Sequence, residues 1–586
     1  MRETGVLLPI TSVPSAYGIG CFSIEAYEFV DKLKKAGQNY WQILPLGPTS
    51  YGDSPYQSFS AYAGNPYFID LGALIAEGLL TKEECDSVDF GTDTRYVDYE
   101  KIYLGRFSLL RKAYERSDFL SREDARKFME ENAFWLDDYA LYMAVKNHFG
   151  NISLAEWDED IRLRKPEEVN RYFNELVDDV NFYKYLQYEF TKQWSRLKDY
   201  ANKNGIRIIG DIPIYVAFDS ADTWANPELF QFDENHMPTA VAGCPPDAFA
   251  ATGQLWGNPL YKWEYHKQTG FEWWIKRIEY SFRLYDVVRI DHFRGFDEYY
   301  SIPFGDSTAE FGHWEKGPGY ELFRAVKENL GDLDIIAEDL GYVTDTVKQL
   351  LSDCGYPGMK ILQFAFDSRE ESDYSPHNYS NNCVVYTGTH DNDTLLGWMS
   401  QLCEEDRKLA VDYLNLSGKD FMDCRWEFIR SALSSVARIA VIPIQDYIGV
   451  GTEGRINVPS TLGINWKWRM KNEDLPEDLL EEIVGEIRDE YDTDEEDPIV
   501  QLNEREFIVM GSTNLEDLCE QLSLNFTSDD YDTIGGYLIG LLDHVPEKNE
   551  IIITDDDILL RVDQMDKNRI EKIYIKKPEI KSETEE

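Results

Sequence analysis

Short apolar runs alternate with longer amphipathic stretches along this chain, and the alternation predicts a parallel α/β architecture. Three of these runs, at 287–291, 334–338 and 384–387, have the length and the β-branched content of a buried strand, and the others are also strand-like. Eight runs have this character: residues 5–10, 40–46, 206–216, 287–291, 334–338, 358–366, 382–387 and 439–444. Eight parallel strands are enough to close a barrel. We therefore predict a (β/α)8 TIM barrel with large loop insertions, followed by a small α+β C-terminal domain.

The predicted strands are unevenly spaced, which indicates where the chain departs from a plain barrel. Amphipathic stretches fill the gap between the second and third runs, and a segment rich in Trp, Pro and Gly separates the third from the fourth. We expect both to be insertions on barrel loops, at about residues 48–200 and 220–285, because such loops carry the specificity of this type of fold.

The charge of the chain shifts near residue 470, and such a shift indicates a domain boundary. The net charge is -50, and about half of it falls within residues 471–586. We predict a barrel domain at residues 1–472, an acidic helical linker at 473–488, a separate small domain at 489–578 and a tail at 579–586.

Charge and cysteine usage exclude several classes of function. An acidic chain is a poor partner for nucleic acid, whose phosphates need Lys and Arg, and for anionic membrane surfaces. No apolar run approaches the ~20 residues of a membrane span, and the start of the sequence is too short and acidic for the apolar core of a signal peptide. The eight cysteines form no C-x-x-C pair and no Cys/His cluster, so neither a disulfide framework nor a metal site is predicted. We expect a cytoplasmic protein without membrane insertion.

Three predicted strands lead into carboxylates, namely Asp291, Glu338 and Asp391. In a parallel barrel, the residues just past the C-terminal ends of the strands face the active site. The three acids are therefore predicted to converge on one pocket. Two carboxylates are the usual equipment for breaking a glycosidic bond, because one attacks the anomeric carbon while the other protonates the leaving oxygen.

Two neighbouring residues add to this constellation. Arg289 lies two residues before Asp291, so it points to the same side of the strand, and its charge would lower the pKa of Asp291. His390 precedes Asp391 and could donate hydrogen bonds to sugar hydroxyls. A single Asp after a strand is more often a helix cap than a catalyst, so the argument for function depends on the whole group.

The segments around these acids resemble the 4-α-glucanotransferase family, which comprises the amylomaltases or disproportionating enzymes and is related to the α-amylases. The resemblance is carried by VVRIDHFRG at 287–295, AEDLG at 337–341, TGTHDNDT at 387–394, LPLGPTSYGDSPYQS at 44–58, GCPPD at 243–247, TGQLWGNP at 252–259, GPG at 317–319 and NWKWR at 465–469. These motifs occur in order and extend from the start of the chain to about residue 470.

The resemblance implies a retaining transglycosylase that uses an α-1,4-glucan donor and a glucose or maltooligosaccharide acceptor, without cofactor or metal. It assigns Asp291 as nucleophile, Glu338 as acid/base and Asp391 as transition-state stabiliser. The implied substrate-binding residues are Arg289, His390, Tyr51, Tyr56, Tyr103, Asp247, Gln254, Trp256 and Asn465.

Two other functions stay open at this point. An α-glucan hydrolase on the same scaffold would admit water to the glycosyl-enzyme, whereas a transferase excludes water and positions a sugar acceptor. A catalytically silent carbohydrate-binding or regulatory protein is the third reading, although such a protein has no need of a proton donor opposite a nucleophile.

The C-terminal region resembles the transporter-associated domain of CorC/HlyC-type proteins, on residues 481–492, 531–537 and 544–546. The resemblance implies a small α+β domain of regulatory type that has an unknown ligand or protein partner. The membrane region and CBS modules that usually precede this domain are not recognised in this sequence. Asn549 stands where the family commonly has glycine, and asparagine tolerates a left-handed turn. An inert acidic appendage that aids solubility is the alternative.

Overall fold

The structure is a computed structural model that describes residues 3–50, 52–246, 251–341, 343–369, 372–488, 499–503, 505–528, 531, 533–542, 544–554, 556–566 and 569–578. The chain divides into two compact units, Met1–Ile487 and Arg488–Glu586. Each unit is described by itself below.

The first unit is built on eight parallel strands. In chain order they are β1 (Glu3–Leu7), β2 (Tyr40–Gln42), β3 (Arg207–Pro213), β4 (Val287–Asp291), β5 (Ile335–Ala337), β6 (Gly358–Ile361), β7 (Cys383–Tyr386) and β8 (Ile439–Pro443). The hydrogen-bonded order is β6-β7-β8-β1-β2-β3-β4-β5. Between β5 and β6 the backbone N–H of Ala337 donates to the carbonyl of Pro357 at 3.0 Å, which brings the two ends of the sheet together. The predicted barrel class is confirmed.

Every predicted strand is present, but most are shorter than the apolar run that predicted them. Leu44 and Leu46 are buried although they follow the end of β2. Pro45 stands between them and has no backbone N–H to donate to a neighbouring strand. Side chains therefore stay buried in the loop after the hydrogen bonds between strands have ended. The apolar pattern of the sequence alone does not show where the strand stops.

The two faces of the strands pack into different cores because successive side chains alternate in direction. One set fills the barrel interior: Leu7, Tyr40, Ile209, Val287, Ile336, Met359, Ile361, Val384, Tyr386, Ile439 and Val441. The alternate positions face the surrounding helices, and Val6, Trp41, Ile208, Val288, Ile335, Val385 and Ala440 are among them.

The helices that connect successive barrel strands are amphipathic, and each buries one apolar stripe against the sheet. In the first of them, Ile24–Lys35, the buried residues are Ala26, Phe29, Val30 and Leu33. The others between the strands are Val177–Lys203, Glu272–Leu284, Tyr320–Leu330, Asp345–Cys354, Leu395–Gln401, Glu404–Tyr413 and Arg425–Leu433. After β8 come Ile444–Ile448 and Glu477–Arg488. None of the helices within the described ranges combines the length and the apolar composition that a membrane crossing needs.

The long gaps in the predicted barrel contain further helices and one small sheet. The helices are Leu71–Ala76, Lys82–Asp86, Tyr99–Arg116, Glu123–Glu131, Ala133–His148, Glu159–Arg162, Pro166–Glu175, Ala221–Ala225 and Trp263–Gln268. Short 3-10 turns occur throughout the first unit, at Ile10–Ser12, Pro66–Phe68, Phe119–Ser121, Leu154–Glu156, Pro227–Leu229, Phe293–Phe296, Leu362–Ala365, Pro376–Asn378, Phe421–Asp423, Thr452–Gly454 and Asn472–Asp474.

The small sheet of the insertions is antiparallel, in the order Gln254–Pro259, Ala240–Cys244, Glu298–Pro303 and His313–Lys316. Its strands come from the segments that follow β3 and β4, so it extends from the barrel end that carries the acids.

The helix Glu477–Arg488 packs on the first unit. Leu480 and Ile483 are both buried in the same apolar cluster as the barrel helices. This acidic segment is therefore attached to the first unit along its apolar stripe.

Within its described residues, the second unit contains a five-stranded antiparallel sheet and two helices, as the predicted α+β class requires. The strand order is Ile499–Gln501, Glu506–Met510, Arg569–Lys576, Leu559–Asp566 and Ile551–Ile553, and the helices are Leu515–Leu522 and Ile534–Leu542. Asn549 has φ 71°, so it adopts the left-handed turn expected there.

Candidate active site

The acids Asp291 and Glu338 are neighbours at the C-terminal ends of adjacent strands. Asp291 is the last residue of β4, and Glu338 directly follows β5. The ladder continues at this level because the backbone N–H of Glu338 donates to the carbonyl of Ile290 at 3.0 Å. The strand register therefore sets the two acids side by side.

Two backbone N–H groups hold the Glu338 carboxylate. His292 donates to one oxygen at 2.7 Å, and Leu340 donates to the other at 2.9 Å. His292 has φ 52°, a left-handed conformation that is uncommon for a residue with a side chain. The turn after Asp291 therefore directs a donor at the neighbouring acid.

The two acids have different electrostatic surroundings. The pKa of Glu338 is raised to about 8, first by burial and then by the negative charge of Asp291, while the Arg289 guanidinium and the two backbone donors oppose the rise. Burial also raises the pKa of Asp291, against the opposing charge of Arg289. Arg289 does oppose the rise in the pKa of Asp291, as predicted, but burial outweighs its effect. Of the two acids, Glu338 is the one suited to keep a proton near neutral pH.

The guanidinium of Arg289 is buried between two carboxylates. It donates to Asp291 at 2.9 Å and to Asp211 at 2.6 Å. Asp211 lies within β3, is 1% exposed, and was not singled out by the sequence analysis. The feature of the sequence that could have identified Asp211 is its position as a single acid inside an apolar strand. In the structure this position pairs with Arg289 on β4.

The hydrogen-bond network continues from Asp211 to the third strand-end motif. The Tyr56 hydroxyl donates to Asp211 at 2.7 Å, and burial raises the pKa of Tyr56 well above its ordinary value, so the hydroxyl keeps its proton. The His390 Nε2 lies 2.9 Å from the same hydroxyl, and because that hydroxyl donates to Asp211, Nε2 is the donor. The two rings stack with centroids 5.2 Å apart. One continuous network thus connects Asp291 with His390.

Asp391 is held by a loop that the sequence analysis did not single out. The Asn457 side-chain amide donates to the Asp391 carboxylate at 2.6 Å, and the Arg455 guanidinium donates to the Asp391 backbone carbonyl at 2.8 Å. The Asn457 backbone N–H donates to the carbonyl of His390 at 3.0 Å. No local pattern marks Asn457, because it is neither in a predicted strand nor directly after one.

Two residues of the predicted substrate loop lie beside the acids. The Trp256 ring meets the His292 ring edge-on at 4.8 Å, and its indole N–H donates to the Gln254 side-chain oxygen at 3.1 Å. Trp256 is thus adjacent to the turn at His292, which follows Asp291 and whose backbone N–H bonds to Glu338.

The other predicted binding residues lie elsewhere or outside the described residues. Tyr103 is on the insertion helix Tyr99–Arg116, where its hydroxyl accepts from Asn151 at 3.1 Å. The Asn465 amide bonds to the backbone of Val458 and Thr461, so it shapes its own loop. Tyr51 and Asp247 are outside the described residues, and their roles stay predictions. Among the described side chains, no group of three or more His, Cys, Asp or Glu is arranged to hold a metal ion.

A family model described as 4-alpha-glucanotransferase matches residues 8–475 of this chain. The chain belongs to this family. A second family model, described as transporter associated domain, matches residues 500–579 and confirms the second predicted resemblance.

Relatives within the family are similar over nearly their whole length. A 4-alpha-glucanotransferase from Clostridium butyricum is 52% identical over 476 residues, which is 81% of this chain and 97% of that protein. One from Thermus thermophilus is 44% identical, over 83% of this chain and 97% of its own. The structure of amylomaltase from Streptococcus agalactiae in complex with acarbose has a TM-score of 0.80 at 44% identity and covers 83% of this chain and 99% of that chain.

We expect the pKa of Glu338 to be lower in an Asp291→Asn variant than in the wild type, because the negative charge of Asp291 is one cause of its elevation. It should stay above the ordinary value of about 4.3, since burial persists. Carbon-13 NMR titration of labelled glutamate side chains would measure the shift. Asp332→Asn is the matched control, because Asp332 is 87% exposed and bonds to Lys327. An unchanged pKa in Asp291→Asn would contradict electrostatic coupling of the two acids.

Proposed function

We propose that this protein is a 4-α-glucanotransferase. It transfers α-1,4-glucan segments from a maltooligosaccharide or starch-type donor to the 4-hydroxyl of glucose or a maltooligosaccharide, and it retains the anomeric configuration. Membership of the family supports this proposal. The observation that carries it is the pairing of an Arg289-bound Asp291 with a neighbouring Glu338 whose pKa is raised to about 8, chiefly by burial.

In the first step the Asp291 carboxylate attacks the anomeric carbon while Glu338 gives its proton to the glycosidic oxygen. The bond from the anomeric carbon to that oxygen breaks, a glycosyl ester forms on Asp291, and the shortened glucan leaves with the proton. Glu338, now ionised, takes the proton from the acceptor 4-hydroxyl. That oxygen attacks the anomeric carbon, and the ester bond to Asp291 breaks.

The surrounding residues position the substrate in this scheme. We assign Asp391 to the stabilisation of the oxocarbenium-like transition state through the sugar hydroxyls. His390, Tyr56 and Arg289, which belong to one hydrogen-bond network with Asp291, are assigned to substrate binding. Trp256 and Gln254 contribute an aromatic face and an amide, and Tyr51, Tyr103, Asp247 and Asn465 are assigned to glucan contact on the family motifs.

The decisive experiment is incubation of the pure protein with maltotriose. We expect a ladder of longer maltooligosaccharides together with glucose, at a constant number of reducing ends. Asp291→Asn should lower this rate by more than about a thousandfold, as removal of a covalent nucleophile does. Asp332→Asn, with its exposed carboxylate, should retain it.

Other outcomes of this experiment favour the competing functions. A rising number of reducing ends without longer products means an α-glucan hydrolase. Absence of products from maltotriose and from amylose, with sugar binding retained, means a silent binding protein. Substantial transfer by Asp291→Asn would contradict the assigned nucleophile.

We expect Asn457→Ala to lower kcat/KM for maltotriose by about ten- to a hundredfold, because a hydrogen bond to a charged group contributes about 1.5–3 kcal/mol. The loss should fall mainly on kcat, since Asn457 orients Asp391 and is not assigned to the substrate. Initial rates of glucose release measure both constants. Asn329→Ala is the matched control, because Asn329 bonds to its own exposed helix. Equal rates for wild type and Asn457→Ala would refute the positioning role.

The domain assignment is also a proposal, with the transferase at residues 1–472, the linker at 473–488 and the transporter-associated domain at 489–578. We propose a cytoplasmic location and no nucleic-acid partner, in keeping with the net charge of -50.

We further propose that the second unit tunes the transferase or docks it to a ligand or protein partner. The Clostridium butyricum relative matches 81% of the chain, and the 4-alpha-glucanotransferase family model ends at residue 475, before the second unit.

The role of the second unit is tested by a chain that ends at residue 488. This end point keeps the helix Glu477–Arg488, whose Leu480 and Ile483 are buried in the first unit. We expect kcat for maltotriose to stay within about twofold, because the acids and their network belong to the first unit, while the KM for glucan or the oligomeric state changes. Steady-state rates and sedimentation velocity measure these quantities. If kinetics, oligomeric state and thermal stability all stay unchanged, the second unit is an inert appendage.

A further inference from the structure

The first unit contains a cleft outside the group of acids described above. Its volume is about 210 Å³, and neither Asp291, Glu338 nor Asp391 lines it. It is bounded by the helices Ala133–His148, Ala221–Ala225, Trp263–Gln268 and Glu272–Leu284. Its aromatic lining consists of Tyr62, Phe134, Trp135, Tyr265 and Trp273.

Phe134 is a rigid and accessible aromatic platform in this cleft. Phe134 is 46% exposed, so part of it is accessible to a ligand. Tyr62 meets it edge-on at 5.4 Å and Tyr280 at 6.3 Å, so two rings fix its orientation. Tyr62 is itself stacked on Trp135 at 6.2 Å. An aromatic surface held in this way binds a ligand without first losing conformational freedom.

Four carboxylates line the cleft, those of Asp138, Asp222, Glu228 and Glu272, and two of them are paired with a cation. Asp138 accepts from Arg164 at 2.7 Å, and Glu272 accepts from Lys276 at 2.6 Å. The buried Asp222 accepts the backbone N–H of Ala61 at 2.7 Å. Carboxylates with partners retain lone pairs for hydroxyl donors but attract a free cation weakly. Aromatic rings beside carboxylate acceptors suit a polyhydroxyl ligand, whose hydroxyls donate to the carboxylates and whose C–H faces pack on the rings.

The cleft is connected to the catalytic network by one loop. Tyr62 lines the cleft, and Tyr56, six residues earlier, bonds to Asp211 in the catalytic network. Six residues span at most about 20 Å, so the two sites are close on the scale of a glucan chain. A long substrate held at one site has a high effective concentration at the other.

We propose that this cleft is an accessory binding site for α-1,4-glucan chains, in which Phe134 is the stacking platform. The proposal rests on the glucanotransferase function proposed above. The site holds part of a long glucan outside the catalytic pocket and therefore matters for amylose but not for maltotriose, which is too short to occupy both sites.

The test compares Phe134→Ala with the wild type on two substrates. We expect the KM for amylose to rise about three- to tenfold, which corresponds to the loss of one aromatic contact. The kcat/KM for maltotriose should change less than twofold. Phe173→Ala is the matched control, because Phe173 is a 39% exposed phenylalanine on the helix Pro166–Glu175 and does not line the cleft. Phe134→Trp, which keeps an aromatic face, should restore the KM for amylose.

A second variant protects the test against misfolding of the first. Thr269→Arg fills the cleft from an exposed lining position and should produce the same selective rise in KM for amylose. If both variants leave the KM for amylose unchanged, or alter both substrates equally, the accessory site is refuted. If the wild type fails to disproportionate maltotriose, the proposed function fails instead, and this result is independent of the variants.

Discussion

The buried guanidinium of Arg289 is the constraint on which the catalytic site depends. A buried charge is costly unless partners compensate it, and here Asp211 and Asp291 do so from neighbouring positions on β3 and β4. Loss of either carboxylate would leave the cation partly uncompensated inside the barrel. The strand register that brings these three residues together is therefore a requirement of both folding and chemistry.

The same cation separates the roles of two adjacent acids. Asp291 is hydrogen-bonded to Arg289, whereas Glu338 is held by backbone N–H groups and faces the charge of Asp291. Two acids placed side by side do not both ionise easily, and unequal surroundings decide which of them keeps the proton. In the proposed mechanism, the barrel thus supplies a nucleophile and an acid from the same type of side chain.

The barrel frame and the loops divide the work between them. The frame fixes the acids through β4 and β5, while the inserted segments contribute Tyr56, Trp256 and the aromatic cleft around Phe134. The turn at His292 connects the strands with the loops, because its backbone N–H bonds to Glu338 and its ring contacts Trp256. In the proposed function, the strands carry the chemistry and the loops contact the glucan, which is the usual division in a barrel enzyme.

The sequence by itself determined the fold class and the positions of the three acids. The eight apolar runs locate the strands because strand formation leaves a local record in alternation and β-branching, and Asp291, Glu338 and Asp391 follow three of them. The family motifs then supplied the expected chemistry. The strand ends were misjudged because burial continues past the ladder, as it does at Leu44.

Only the tertiary structure decided which groups pair with the acids and how they are tuned. Arg289 meets Asp211 across 78 positions of sequence, and Asn457 meets Asp391 across 66. No local pattern encodes such contacts, since they arise from strand register and loop return. The same holds for the pKa of Asp291, because burial and neighbouring charge belong to the folded site as a whole.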